Sequence, residues 1–295
     1  MFSLAAFRYR NVLSVDGGPL DSIESQVVPV LGRGMFQTNA RLLKGLVNKV
    51  SHALYGDADG TGTHRIASVA RHMAISQALE RWAFHSSVCS DRAGEYGFDL
   101  DPSSNGISAF PGLVGSKARR NAILEAVERF SLTAWWEGRC EGRVFDTDWP
   151  GVSAVAIDGP FGGVTVIAFA RTDFGMHAYG YAAEESFGAA CERAIVKLAR
   201  HECVMRGWWL SYVVGEKRTP SNVFERRSLF FATDAGHDVF QQRLKTQVRA
   251  TFPVASVICD REIDGPWSDY TTVWRYALRP ISEGYLDGGD DYFCW

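Results

Sequence analysis

The sequence has few cysteines, and none of them is arranged in a metal-binding or cross-linking pattern. The six cysteines are scattered through 295 residues without a Cys-x-x-Cys pair, so neither a zinc site nor a disulfide framework is indicated. We expect reduced and mostly buried thiols. Cys294, next to the end of the sequence, is the one that we expect to be exposed.

The sequence also lacks long apolar runs and an excess of basic residues. No window is apolar over the length that spans a bilayer, and Met1 to Leu4, followed by Arg8 and Arg10, has no secretory pattern. These absences predict a cytoplasmic protein that does not enter a membrane. The net charge of -3 predicts no general affinity for nucleic acid, because phosphate binding needs a dense basic surface.

Familiar catalytic signatures are missing as well. There is no Gly-x-Ser-x-Gly elbow or Cys/His signature, and His52, His64 and His72 are spaced too irregularly to indicate a metal. With 46% apolar residues the chain can bury a large core, and no linker is long enough to divide it. We therefore predict one domain over residues 1–295, with N-terminal strands in 1–60, a core over 61–283 and a mobile tail over 284–295.

Apolar spacing predicts an α+β fold in which helices pack against a mostly antiparallel sheet. Strands are predicted where short apolar runs are bounded by Gly, Pro and Asp, and helices where apolar residues recur at helical spacing. The predicted strands are Val152–Ile157, Val164–Ala170, His177–Ala182, Val254–Cys259 and Thr271–Leu278. Helices are expected over Leu42–Ser51 and Asp238–Thr251, and a Gly-rich loop that could hold phosphate over Gly56–Gly62.

Three further helices share a weak internal repeat. Ala70–Trp82 aligns with Ala118–Phe130, and the apolar positions return in Ala190–Arg200. The second of these helices carries Glu125 and Glu128, which are three residues apart and therefore share a face. Two carboxylates on one face indicate a metal or base site, or else a salt-bridge site.

This succession of motifs resembles the YcaO domain. The sequence contains a helix ending in Gln-x-x-Glu-Arg, a Ser-Asn-Gly loop, a helix with Glu-x-x-Glu-Arg and an aromatic pair, and an Ala-rich helix after a Gly-Tyr-Ala strand end. The resemblance covers roughly residues 60–283. It implies a YcaO-like fold in a family of ATP-dependent enzymes that activate backbone amides during azoline, thioamide or amidine formation in ribosomally made peptides.

The resemblance implies an ATP and magnesium site built from several carboxylates and several cations. The positions that it assigns to this site include departures from the family pattern. Gln77 replaces a glutamate, and Lys197 and Arg200 stand where family members carry a glutamate and then a glutamine. The assigned positions, of which the last three belong to a late motif whose register stays open, are Gln77, Glu80, Arg81, Glu125, Glu128, Arg129, Lys197, Arg200, Arg275, Arg279 and Glu283.

Other departures concern the glycine loop and the end of the sequence. Gly60-Thr61-Gly62 stands where the family has Gly-Lys-Gly, so the nucleotide-binding cation is missing. The sequence ends at Phe293-Cys294-Trp295, without the proline-rich motif of cyclodehydrating members. The chain therefore resembles a degenerate YcaO homologue, like the peptide-binding accessory proteins of pathways such as crocagin biosynthesis.

Three functions follow from these patterns. The favoured hypothesis is a non-catalytic accessory protein without a cofactor, which binds the leader or core of a precursor peptide and works beside other biosynthetic enzymes. The alternatives are an ATP- and magnesium-dependent enzyme and a purely structural subunit. A homodimer is left open.

Two structural predictions accompany the favoured hypothesis. First, Glu125 or Glu128 should form an ion pair with Lys197 or Arg200 in the former metal cavity. Second, a peptide should add as a strand to a sheet edge from residues 1–60 or from Val152–Ala182. Aromatic residues beside that edge could supply pockets, or could instead fill the core: Phe169, Phe174, Tyr179 and Tyr181.

Overall fold

The computed structural model describes residues 4–30, 32–47, 58–112, 114–215, 220, 222–246 and 254–294. Within these ranges the apolar patterns build three antiparallel sheets and the helices that accompany them. The α+β prediction is therefore confirmed. The chain divides into two units, and each combines segments that are distant in sequence.

Unit 1 comprises Met1–Lys49, Asp57–Ala126 and Ser256–Arg279. Its elements are α1 (Leu4–Arg8), β1 (Leu20–Val30), β2 (Arg33–Leu42), β3 (Gly60–His64), α2 (Ala67–Val88), β4 (Ile107–Phe110), the first half of α3 (Ser116–Trp136), β9 (Ser256–Glu262) and β10 (Thr272–Arg279). One sheet has the order β1-β2-β3 and the other the order β4-β10-β9. The apolar face of α2 packs against the first sheet, where Ala74, Ile75, Ala78 and Leu79 are buried with Leu20 and Leu42.

Unit 2 comprises Val50–Gly56, Val127–Ala255 and Pro280–Trp295. Its elements are the second half of α3, β5 (Arg143–Asp146), β6 (Val152–Asp158), β7 (Val164–Arg171), β8 (His177–Glu184), α4 (Phe187–Val213), α5 (Val223–Ala232), α6 (Asp234–Lys245) and α7 (Glu283–Asp287). Its sheet has the order β5-β6-β7-β8, and Ala190, Ala194 and Leu198 of α4 are buried against it. An aromatic core forms around Trp135, whose ring centroid lies 5.6 Å from that of Phe240.

The predicted strands and the three repeat helices are present, with shifted boundaries. The helix predicted over Leu42–Ser51 is wrong over residues 42–47, and residues 48–51 lie outside the described ranges. Leu42 ends β2, where it pairs with Leu20. Gly45 then has a φ of +96°, which turns the chain away from a helical path. None of the described helices has the length and apolar content that a bilayer-spanning segment requires.

The Gly-rich loop prediction is also wrong where the structure describes it, over residues 58–62. Gly60 and Gly62 lie in β3 and pair with Ala40 and Thr38 of β2. A Cβ atom on Gly60 would lie 2.1 Å from the backbone oxygen of Ala74. These glycines are required because the strand and α2 approach closely, so they do not form a phosphate loop.

The C-terminal third differs from the prediction in two ways. The helix expected over Asp238–Thr251 is α6, which begins at Asp234 and ends at Lys245, and α5 precedes it; residues 247–251 of that prediction lie outside the described ranges. The tail expected to be mobile forms α7, and Phe293 and Cys294 are completely buried. The prediction of an exposed Cys294 is therefore wrong, because this segment fills the aromatic core of unit 2.

Candidate functional site

In unit 2, Glu128 of α3 is held by three N–H donors. Lys197 of α4 donates from its Nζ to both carboxylate oxygens, at 2.9 and 3.0 Å, and the backbone amide of Ala183 donates to Oε2 at 3.2 Å. The Glu128 side chain is 12% exposed and the Lys197 side chain 36% exposed. The predicted ion pair is therefore present, and Lys197 rather than Arg200 supplies its cation.

A second carboxylate pair lies in unit 1. Glu80 of α2 and Glu125 of α3 are half-buried, and Oε2 of Glu80 accepts a hydrogen bond from the Ala109 amide of β4 at 3.3 Å. Burial and the negative charge of Glu125 raise the pKa of the Glu80 carboxyl well above its usual value. The Glu80 carboxyl therefore holds a proton more tightly than an isolated carboxyl does.

The side chains that neighbour Glu80 on α2 are engaged with β3 and the segment before it. Gln77 Oε1 accepts a hydrogen bond from the Thr61 amide at 2.8 Å. Arg81 lies 4.0 Å from a carboxylate oxygen of Asp59, and Asp59 itself accepts from the Leu42 amide at 2.7 Å. The sequence did not identify Asp59 as a site residue, since a single buried aspartate between glycines has no distinctive spacing.

Of the two arginines of the late motif, Arg275 is fully buried on β10. Its guanidinium donates to the backbone oxygens of Asp101, Ser103 and Asn105, at 2.7, 3.0 and 3.2 Å. Burial lowers the pKa of Arg275, and the nearby Asp101 carboxylate opposes that shift. Arg279 and Glu283 are exposed. Arg275 thus holds the loop before β4 in place. The sequence showed turn-forming residues in this loop but did not indicate that Arg275 binds it.

The loop held by Arg275 contains Gly106, whose φ of +68° favours glycine. A Cβ atom there would lie 1.9 Å from the backbone oxygen of Tyr276. The Tyr276 amide donates to the Gly106 oxygen at 2.7 Å. The Ser-Asn-Gly motif is therefore explained by the close approach of this loop to β10.

The two remaining assigned cations lie in unit 2. Arg129 donates to the sulfur of Cys294 at 3.2 Å, and its guanidinium lies 4.1 Å from the centre of the Tyr285 ring. Burial lowers the pKa of Arg200. Arg129 therefore contacts the C-terminal segment.

Comparison with known proteins shows the fold. No family model matches the chain, and no curated protein matches it significantly. YcaO from Methanopyrus kandleri, solved with AMPPCP and Mg²⁺, is similar with a TM-score of 0.58 at 15% identity, over 96% of this chain and 91% of that chain. The E. coli microcin synthetase McbBCD complex is similar at a TM-score of 0.50 and 10% identity, over 86% of both chains.

A further structure of the E. coli microcin synthetase McbBCD complex, with pro-MccB17 bound, is similar at a TM-score of 0.51 and 11% identity, covering 86% of each chain. These similarities extend over most of the chain on both sides. The protein therefore has a YcaO-like fold, as its motif order led us to expect.

Proposed function

We propose that this YcaO-like protein does not use a nucleotide and instead binds a ribosomally made precursor peptide as an accessory to peptide-modifying enzymes. The proposal that the protein does not use a nucleotide rests on the position of the Lys197 ammonium, which lies within 3.0 Å of both oxygens of Glu128. A magnesium ion bound by Glu128 would have to displace this cation or tolerate its repulsion, and burial strengthens that repulsion.

The other polar groups assigned to the site support the same interpretation. The carbonyl of Gln77 is a weaker magnesium ligand than a carboxylate, and it already accepts a hydrogen bond from Thr61. Arg275 donates to three backbone oxygens of the loop before β4. These side chains therefore do not suit a magnesium triphosphate.

Strand addition at β1 would explain how a peptide is held. This strand of eleven residues pairs with β2 along one edge, and its other edge has no antiparallel strand partner among the described residues. Pro29 has no N–H, so an added strand would pair with the part of β1 before it. Val27 and Phe36 form a cross-strand pair that is 66% and 37% exposed, and this pair offers an apolar surface for peptide side chains.

The other predicted edge is less suitable. β8 ends its sheet, but His177 to Ala183 are buried throughout. Tyr179 and Tyr181 fill the core rather than line a surface, and Phe169 is half-buried. The structure recorded with pro-MccB17 has the same fold as this chain and supports a peptide as the partner to test first.

Calorimetric titration tests the proposal. We expect no heat of binding when ATP with magnesium is added to millimolar concentration, and a micromolar or tighter isotherm with a cognate candidate precursor peptide. Hydrogen exchange should then show new protection in β1. A clear binding isotherm for ATP would refute the proposal that the protein does not use a nucleotide. Protection from exchange that is confined to helices would refute strand addition.

The Glu80 and Glu125 pair favours a second candidate, an ATP- and magnesium-dependent enzyme that activates backbone amides. Burial and the negative charge of Glu125 raise the pKa of Glu80, and two carboxylates placed in this way are the kind of site that a divalent cation stabilises. If this candidate is right, magnesium and ATP together should raise Tm, and Glu125→Gln should abolish that increase.

A further inference from the structure

Unit 2 contains a cleft of about 450 Å³ that none of the motifs described above includes. It lies where β7 ends and β8 and α6 begin, and its walls carry Phe169, Arg171, His177, Asp234, His237 and Asp238. A volume of this size is within the range of small-molecule and side-chain sites.

His177 is the most buried polar residue of the cleft, at 5% exposure. Its Nε2 lies 2.9 Å from Oδ1 of Asp234 and donates to that carboxylate. The other ring nitrogen, Nδ1, has no hydrogen-bond partner among the residues that the structure describes. A buried ring nitrogen without a partner is costly.

The ring of His237 stacks on His177, with centroids 3.8 Å apart and an interplanar angle of 6°. Burial and the adjacent His177 lower the pKa of His237 to about 4, so this ring is neutral at pH 7. The amide nitrogen of Gln241 donates to Nε2 of His237 at 3.1 Å, so Nδ1 carries the ring proton and donates to the Tyr179 hydroxyl oxygen at 2.8 Å. Burial raises the pKa of Tyr179, and its hydroxyl keeps its own proton. His237 therefore contributes a flat, uncharged wall.

The charges in the cleft are predominantly negative. Asp234 and Asp238 lie one turn apart on α6 and both line it. The hydrogen bond from His177 lowers the pKa of Asp234, which stays ionised. Arg171 lies 3.7 Å from Asp234 and offsets its charge. With the ring of His237 neutral, the charge of Asp238 remains to be balanced.

We propose that this cleft binds an organic cation, an ammonium or guanidinium group that donates hydrogen bonds to Asp238 and Asp234 and lies against the rings of Phe169 and His237. Its walls carry two carboxylates and one guanidinium, so a cationic ligand that supplies hydrogen-bond donors suits them. Aromatic rings beside the carboxylates favour a polarisable cation. In the described ranges no three His, Cys, Asp or Glu side chains are grouped to hold a metal ion, which favours an organic cation over an inorganic one.

The same chemistry occurs in a free amine and in an Arg or Lys side chain of a peptide, and two probes separate these sources. The first is agmatine, and the second is the capped tripeptide acetyl-Gly-Arg-Gly-amide. Titration followed by protein NMR should give a dissociation constant on the order of 1 mM for at least one probe. Binding of agmatine alone indicates a free amine, and binding of the peptide alone indicates a side chain. Propionate serves as the anionic control.

Asp238→Asn tests the role of the carboxylate, because Asp238 is exposed and its replacement should leave the fold intact. We expect binding to weaken by about fivefold. Glu192→Gln, an equal change of charge at an exposed position of α4 outside the cleft, should bind like the original protein. The proposal is overturned if neither probe binds, if propionate binds instead, or if Asp238→Asn and Glu192→Gln behave alike. None of these results depends on the proposed peptide binding at β1.

Discussion

Lys197 Nζ contacts both carboxylate oxygens of Glu128. A cation of α4, the third helix of the repeat, therefore neutralises the Glu128 carboxylate of α3, the second helix. The aromatic ring of Tyr181 lies 5.4 Å from the same ammonium and shields it further. The pair therefore places a cation on one of the carboxylates that the YcaO resemblance assigns to a metal site.

Lys197→Ala should destabilise the protein by about 1–3 kcal/mol, because it leaves the mostly buried Glu128 without its cation. The partial exposure of Lys197 keeps the loss below that of a fully buried pair. We expect Tm to fall by roughly 2–4 °C per kcal/mol lost. Lys44→Ala, at an exposed lysine, should leave Tm unchanged. Equal melting temperatures for the two variants would show that the ion pair has no energetic role.

Glu80 should make stability depend on pH. Because its pKa is raised in the folded protein, the folded state binds a proton more tightly than the unfolded state does. Its stabilising contribution is complete below the unfolded carboxyl pKa of about 4.3 and is lost as pH rises through the folded pKa. Glu80→Gln mimics the protonated form and should therefore be more stable than the original protein at pH 8.

Chemical denaturation between pH 4 and pH 8 measures this effect. The free energy of unfolding of Glu80→Gln should decline less with rising pH than that of the original protein. Glu192→Gln, at an exposed glutamate, should follow the original curve. Parallel curves for all three proteins would contradict the raised pKa of the Glu80 carboxyl in the folded protein.

Gly60→Ala should destabilise unit 1 by about 3 kcal/mol, because the new Cβ would overlap the backbone of α2 at Ala74. Gly188→Ala is the matched control, since a Cβ at this position of α4 meets no atom within 4 Å. It should stabilise the protein by about 0.5–1 kcal/mol through helix propensity. Thermal denaturation of both variants decides whether close packing explains the glycine in β3.

Arg227 should hold the C-terminal segment in its buried position. Its buried guanidinium donates to five backbone oxygens of that segment, at distances of 2.6–3.1 Å: those of Gly284, Tyr285, Gly288, Gly289 and Cys294. Arg227→Ala leaves these oxygens without their donor, so we expect a loss of about 3 kcal/mol or more and release of the segment. The buried Cys294 thiol should then react with a thiol reagent.

Mass spectrometry of the labelled protein separates Cys294 from Cys89 and Cys203, which are exposed in any case. Arg226→Ala is the control, because Arg226 makes an exposed ion pair with Asp290 that is worth at most about 1 kcal/mol. If Cys294 in Arg227→Ala stays as unreactive as it is in Arg226→Ala, Arg227 does not hold the C-terminal segment in place.

Turn-forming residues and apolar spacing in the sequence predicted those elements whose local preference agrees with their packing in the fold. The strands from Val152 to Ala182 alternate with turn formers, and α3 has a long apolar stripe, so both were placed closely. The repeat alignment also predicted the pairing of Glu128 with a cation of α4, because equivalent helix positions can face a common space.

Long-range contacts explain the failures. Gly60 and Gly62 are turn formers by composition, and their strand conformation depends on α2, which follows them in the sequence. Cys294 is buried because Arg227, some 67 residues earlier, binds its backbone oxygen. His177 and His237 are 60 residues apart and share no local motif, so only the folded chain brings their rings together.

The division of unit 1 into separate segments affects the order in which the protein can fold during synthesis. β4 pairs with β10, and the residues between Ala126 and Ser256 belong to unit 2. At about 5–20 residues per second, a ribosome needs on the order of ten seconds to make that intervening stretch. Until β10 has been made, β4 lacks its strand partner and the apolar face of α2 beside it is not fully covered. We therefore expect newly made chains to depend on chaperones during this interval.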